Sequence, residues 1–179
     1  MLPPMTRIHV FGASGSGTST LARALAAHIG CPHFDVDSYY WQPTDPPFRV
    51  KRHPDERLSL LRADLDGQTW VLSGSMVSWG DVLTHRFTLA VFVYVPQAVR
   101  IQRLEVRERE RYGSRIEPGG DMHTQYGEFI EWASSYDSPR TDTRTKVVHE
   151  AWIEKLPCKV VRVDGILPTD QLVDAVMVG

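Results

Sequence analysis

The stretch Arg7-Ile-His-Val-Phe-Gly-Ala-Ser-Gly-Ser-Gly-Thr-Ser-Thr20 opens on a β-branched and aromatic run and passes at Gly12 straight into small residues. The first part predicts a short strand and the second a tight turn. Beyond it, Leu21, Ala24, Leu25, His28 and Ile29 recur at helical spacing, and Gly30 supplies the stop. Strand, glycine-rich turn and helix in that order are the context in which G-x-x-x-x-G-K-[ST] binds phosphate. Gly12 and Gly17 hold its glycine positions and Ser19 its hydroxyl position. With Gly15, they allow close backbone approach, so that amide N–H groups converge on phosphate oxygens at a positive helix end. Gly12, Ala13, Ser14, Gly15, Ser16, Gly17, Thr18, Ser19 and Thr20 are therefore the candidate nucleotide cradle, with Ser19 as a Mg²⁺ ligand. Position 18 departs from the pattern. Thr18 replaces the lysine whose charge spans the β- and γ-phosphates. Backbone amides and Mg²⁺ still hold a triphosphate, while Lys51, Arg52 and the later arginines are the available substitutes for the missing charge.

Outward from this loop, residues 32–37 predict a second strand ending on acids, followed by a long loop rich in proline and aromatic residues up to Phe48. Residues 54–66 carry a helical pattern, 70–73 a third strand, and 87–95 an almost continuous apolar run closed by Pro96. Such a run marks a strand buried on both faces of a parallel sheet. A charged helix over 97–112, a turn-rich stretch over 113–120, helical stretches over 121–136 and 141–156, a strand over 159–163 and a helix from Thr169 complete the pattern. Alternating strands and helices predict one doubly wound α/β domain over 1–179.

Composition agrees. The chain has 179 residues, 42% of them apolar, and a formal charge of -2, which fits one globular domain and gives no global reason to bind nucleic acid. No apolar run has membrane-helix or signal-peptide length, so a soluble protein of the cytosol is expected. Cys31 and Cys158 lack metal-ligand spacing, as do the seven histidines. Sixteen of the 20 basic residues are arginine, and six fall between Arg100 and Arg115, which allows a local anion site inside a neutral protein.

Asp35 and Asp37, two apart at the end of the second strand, are expected to point the same way, at the sheet edge where ligands of open α/β folds bind. Asp37 is the candidate base for an acceptor hydroxyl or a water-mediated Mg²⁺ ligand, and Asp35 supports it at the acceptor. Arg100, Arg103, Arg107 and Arg111 form one stripe at helical spacing, of which Arg103, Arg107 and Arg111 are the candidates to stabilise a transferring phosphoryl group. Glu105 and Arg109 form an i,i+4 pair, as on an ordinary solvated face, and Arg115 lies where a lid would close. Arg49, Lys51 and Arg52 are placed to meet an anionic acceptor, and Tyr40 and Trp41 to stack on a ring. Arg140 and Arg144, on a later helical stretch, are further candidates for the same task.

With these parts in order, the chain resembles the P-loop small-molecule kinases, the superfamily of adenylate, cytidylate and shikimate kinases. His33-Phe-Asp-Val-Asp-Ser-Tyr-Tyr-Trp41 and Trp70-Val-Leu-Ser-Gly-Ser75 look most like the bacterial topology modulation proteins, an adenylate-kinase-related group. The resemblance implies a P-loop NTPase fold with a five-stranded parallel sheet in the order 2-3-1-4-5, an acceptor-binding segment at about 38–67 and a helical lid at about 107–140. It implies transfer of the γ-phosphoryl group of Mg-ATP to a small-molecule or nucleotide acceptor; a monomer or homodimer is expected, and charge and hydropathy give no nucleic acid polymer or membrane as partner. Ser73 stands where the group has an acid before Gly74, which weakens magnesium support from that strand. With Thr18, it leaves open a nucleotide-binding regulator or a slow nucleoside triphosphatase.

Overall fold

Residues 5–67 and 69–179 are described by the structure, a computed structural model. Met1 to Pro4, part of the N-terminal stretch in which no export signal is read, lie outside the described residues. β1 (Arg7–Gly12) leads into α1 (Thr18–Ile29), β2 (His33–Asp35), α2 (Val36–Tyr40), α3 (Pro54–Asp64) and β3 (Trp70–Ser73). β4 (Leu89–Tyr94), α4 (Gln97–Tyr112), α5 (His123–Ser134), α6 (Lys146–Ile153), β5 (Lys159–Asp164) and α7 (Thr169–Val178) follow. All strand pairs are parallel, and the five-stranded sheet runs β2-β3-β1-β4-β5, as the resemblance implies.

β1 occupies the middle of the sheet and sends alternate side chains to opposite layers. Ile8 and Val10 pack with Leu21 and Leu25 of α1 and with Val173 and Val176 of α7. Phe11 packs on the other side with Leu61 of α3 and Trp152 of α6. β4 divides likewise, Val91 and Val93 joining the first cluster and Ala90 and Phe92 the second. Burial on both faces is why its sequence reads as one apolar run. Among the described residues no helix is long and apolar enough to cross a membrane.

Two elements differ from their sequence patterns. β2 ends at Asp35 and α2 starts at once, because the Asp35 side chain accepts the Asp37 N–H at 3.0 Å and caps the helix. Asp35 and Asp37 therefore do not share one face of a strand; Asp37 sits in the first turn of α2. The helix expected from position 141 begins only at Lys146, where Thr145 accepts the Val148 N–H.

Two histidines are buried between the sheet and α6. His9 stacks on Phe11 and Phe87, with Nε2 2.7 Å from the Gly74 carbonyl. His149 lies between Ser75 Oγ at 2.9 Å and the Tyr136 hydroxyl at 2.7 Å. Burial lowers His9 from 6.5 to about 4. Burial, then the charge of Arg144, lowers His149 to about 3. Both fold as neutral rings, so their contribution to stability is complete above pH 6.5 and is lost as pH falls through that value toward the lowered ones. Urea midpoints should fall between pH 6.5 and 4, and less steeply in a His149→Gln variant. Equal pH dependence of both proteins would show that His149 is not held neutral.

Candidate functional site

The glycine-rich turn is clamped from behind by β4 and α4. A Cβ on Gly12 would lie 2.3 Å from the Val93 carbonyl oxygen, and one on Gly15, whose φ is 81°, would lie 2.6 Å from that of Arg100. No side chain caps α1, whose N-cap is Gly17, so no side chain competes with an anion for the N-terminal amides there. Ser16 turns inward and donates to the Ala13 carbonyl at 2.7 Å. Gly12, Ala13 and Ser16 are buried, Ser14, Gly15, Thr18 and Ser19 half-buried, and Gly17 and Thr20 exposed. Gly15→Ala combines a left-handed backbone with a backbone clash and should lower unfolding free energy by about 1–2 kcal/mol or more in urea titrations. Unchanged stability would mean that the turn moves freely against α4.

Ser19, at the start of α1, donates to Asp35 Oδ2 at 2.7 Å. Ser73 donates to the same oxygen at 3.1 Å and lies 2.9 Å from His33 Nε2. The carboxylate on the loop hydroxyl is therefore that of Asp35, not Asp37, and Ser73 orients it from beneath. Among the described residues no cluster of three or more His, Cys, Asp and Glu could hold a metal alone. Mg²⁺ at a nucleotide needs no such cage, since phosphates and water supply most of its octahedron. The adjacent oxygens of Ser19 and Asp35 fit that demand.

Asp37 is solvent-exposed at the mouth of α2 yet crowded by the atoms of the cleft. Crowding, then the charge of Asp35, raises its pKa above the ordinary 3.8, while Arg144, Arg107 and a hydrogen bond from Trp41 act in the opposite direction. Trp41 is half-buried and packs edge-on to Tyr40 and Phe48, with ring centroids 5.0 and 6.1 Å away. The ring expected to stack on an acceptor is thus packed among the protein's own aromatic side chains.

The arginine stripe of α4 divides. Arg100 is completely buried and donates to the Val95 and Ala133 carbonyls and to Asp137 at 3.0, 3.1 and 2.8 Å. Arg103 reaches the carbonyls of Gly15 at 3.5 Å and Gly165 at 3.2 Å, at the edge where the β5–α7 turn meets the loop. Arg107 and Arg111 share the buried carboxylate of Glu108 at 2.8 and 3.3 Å, and Arg111 also lies over the Phe48 ring.

Between α2 and α3, Arg49 donates to Met122 Sδ at 3.6 Å, tying this segment to the region after α4. Arg52 departs from its expected place. It donates to the Tyr39 and Trp41 carbonyls and pairs with Glu56, bracing the segment next to the Trp41–Lys51 bridge. Arg115 and Arg140 pair with Asp121 and Asp142. Arg144 instead crosses to the loop, where Nη2 donates to Ser14 Oγ at 2.9 Å. Nothing local marks it, for 130 residues separate the partners.

No family model matches the chain. A Bacillus subtilis (strain 168) protein named "Uncharacterized protein YqaC" is 41% identical over 171 residues, covering 95% of this chain and 94% of that one. Shikimate kinase from Acinetobacter baumannii, solved with shikimate, superposes with a TM-score of 0.56 at 13% identity, over 97% of this chain and 91% of that one. Shikimate kinase from Bacteroides thetaiotaomicron gives 0.54 at 16% identity, over 96% and 94%. A gluconokinase from Sinorhizobium meliloti 1021 gives 0.52 at 18%, over 98% and 90%. The fold is that of the P-loop kinases, and the chain belongs to the family of the Bacillus subtilis protein YqaC.

Proposed function

We propose that this protein is an ATP-dependent phosphotransferase that moves the γ-phosphoryl group of Mg-ATP to a hydroxyl of a small-molecule or nucleotide acceptor. The observation that carries this reading is one juxtaposition: a glycine-clamped loop, the Ser19–Asp35 pair, and the carboxylate of Asp37 at the same sheet edge. The shared fold with kinases of shikimate and gluconate supports it. So does the resemblance of 33–41 and 70–75 to the topology modulation proteins.

On this reading the loop amides from Gly12 to Thr20 take the phosphates, and Arg103 backs them at the Gly165 edge. Ser19 and Asp35 would hold Mg²⁺, which would supply neutralisation of phosphate charge there. Asp37 accepts the proton of the acceptor hydroxyl as the hydroxyl oxygen bonds to the γ-phosphorus and the bond to the ADP oxygen breaks. Arg107, whose charge reaches Asp37, and Arg111, over the Phe48 ring, flank the acceptor while sharing Glu108, with Arg49 holding the acceptor segment against the lid.

Thr18 favours a second reading, a regulator that binds nucleotide without turning it over. Calorimetric titration with Mg-ATP, followed by ADP assays with and without nucleoside monophosphates and small hydroxy acids, separates the two. Binding with acceptor-dependent ADP is the expected result. Binding without ADP would move the assignment to the regulator, ADP release indifferent to acceptor to a triphosphatase, and absence of binding would overturn all three.

A further inference from the structure

The cradle has the amides and the hydroxyl of a phosphate loop but no cation of its own, because Thr18 stands at the lysine position. Most cations around it are committed elsewhere. Arg52 is spent on Tyr39, Trp41 and Glu56, Lys51 lies over the Tyr40 ring, and Arg107 and Arg111 are drawn to Glu108. Arg103 touches the loop from the Gly165 edge, with its guanidinium engaged by the Gly15 and Gly165 carbonyls.

Arg144 is placed differently. Its Nη2 donates to Ser14 Oγ, and its plane is held over the Trp132 indole at 4.7 Å. Its Nε is buried without a hydrogen-bond partner. Its guanidinium thus touches the loop directly, and its charge also acts on Asp37, the carboxylate proposed to receive the acceptor proton. A triphosphate seated in the loop would lie beside Ser14, within reach of the guanidinium that Ser14 anchors. A desolvated guanidinium with a buried, unpartnered N–H is costly, and phosphoryl oxygens relieve that cost with charge-assisted bonds in the planar geometry arginine favours.

We infer that Arg144 takes over the task of the absent loop lysine: its guanidinium, steadied by Ser14 and Trp132, binds the γ-phosphoryl oxygens of a triphosphate in the loop. The inference rests on the proposed nucleotide site and adds the residue that completes it. It also gives the segment before α6 a reason to lie across the loop.

The test compares affinities for the Mg complexes of ADP and of a non-hydrolysable β,γ-imido triphosphate, measured by calorimetry on the whole protein. Arg144→Met keeps an apolar stem over Trp132 and should weaken the triphosphate by roughly 10–100-fold with little effect on ADP. Thr18→Lys in that background should restore much of the loss, because it returns a cation to the loop itself. Ser14→Ala, which removes only the anchor, should cause a smaller loss, again confined to the triphosphate, and carries the test if Arg144→Met melts below assay temperature. Equal losses for both nucleotides, or none, with a wild-type protein that binds the triphosphate would overturn the role of Arg144. A wild-type protein that binds neither nucleotide would instead overturn the nucleotide site itself, and the inference with it.

Discussion

Asp37→Asn is expected to lower acceptor-dependent ADP release by about 10²–10⁴-fold, the range that removal of a positioned base commands. Mg-ATP affinity should stay close to that of the wild type, because the Ser19–Asp35 pair and the loop remain intact. The same substitution should raise thermal stability at neutral pH. The Asp37 pKa is raised in the fold, so the folded chain holds that proton more tightly than the unfolded one. Its contribution to stability is greatest below the ordinary carboxylate value and falls as pH rises through the raised value, which leaves a destabilising carboxylate at pH 7. Asparagine removes that penalty, so the melting temperature should rise at pH 7 and the gain should vanish in acid. Activity follows the opposite course: a base must be unprotonated, so turnover declines on the acid side at a higher pH than an ordinary carboxylate would set. An Asp37→Asn enzyme with wild-type turnover would remove Asp37 from the proton transfer and leave Asp35 as the remaining carboxylate at the edge.

What could be read before the structure was what local chemistry determines. Gly12, Gly15 and Gly17 occupy a turn that only glycine tolerates, and the strand–turn–helix context fixes where the turn lies. The 87–95 run announced a central strand because both its faces are buried. The division of labour between Asp35 and Asp37 was hidden, since it depends on a single hydrogen bond that ends β2 and starts α2. Ser73 looked like a loss of function in one dimension, yet in three it donates to the carboxylate that holds Ser19. Arg144 was one of several later arginines, and only the return of the chain over the loop sets it against Ser14. Helical spacing put four arginines on one stripe but could not tell their separate partners. Arg100 belongs to the interior, Arg103 to the loop edge, and Arg107 and Arg111 to Glu108.

The odd member of that stripe supports the largest stability prediction. Arg100 is completely buried, donates to two carbonyls and Asp137, and has its guanidinium 5.0 Å from the Tyr136 ring centre. Arg100→Met removes the charge and strands these acceptors, a change of the kind that costs about 3–5 kcal/mol when an ion pair is buried on both sides. The Asp137 side chain keeps 26% of its surface exposed and can rehydrate, which places the expected loss in urea titrations near about 3 kcal/mol. Arg100→Lys should recover little of it, because one ammonium cannot reach acceptors spread around a planar fork. The backbone carbonyl of this residue also faces Gly15 from behind, so loosening the first turn of α4 should weaken Mg-ATP binding without any contact between Arg100 and the nucleotide. A stable Arg100→Met protein with impaired turnover would instead add this arginine to the phosphoryl clamp. A destabilised protein whose remaining folded fraction binds nucleotide only modestly less well would identify Arg100 as the post on which the loop rests.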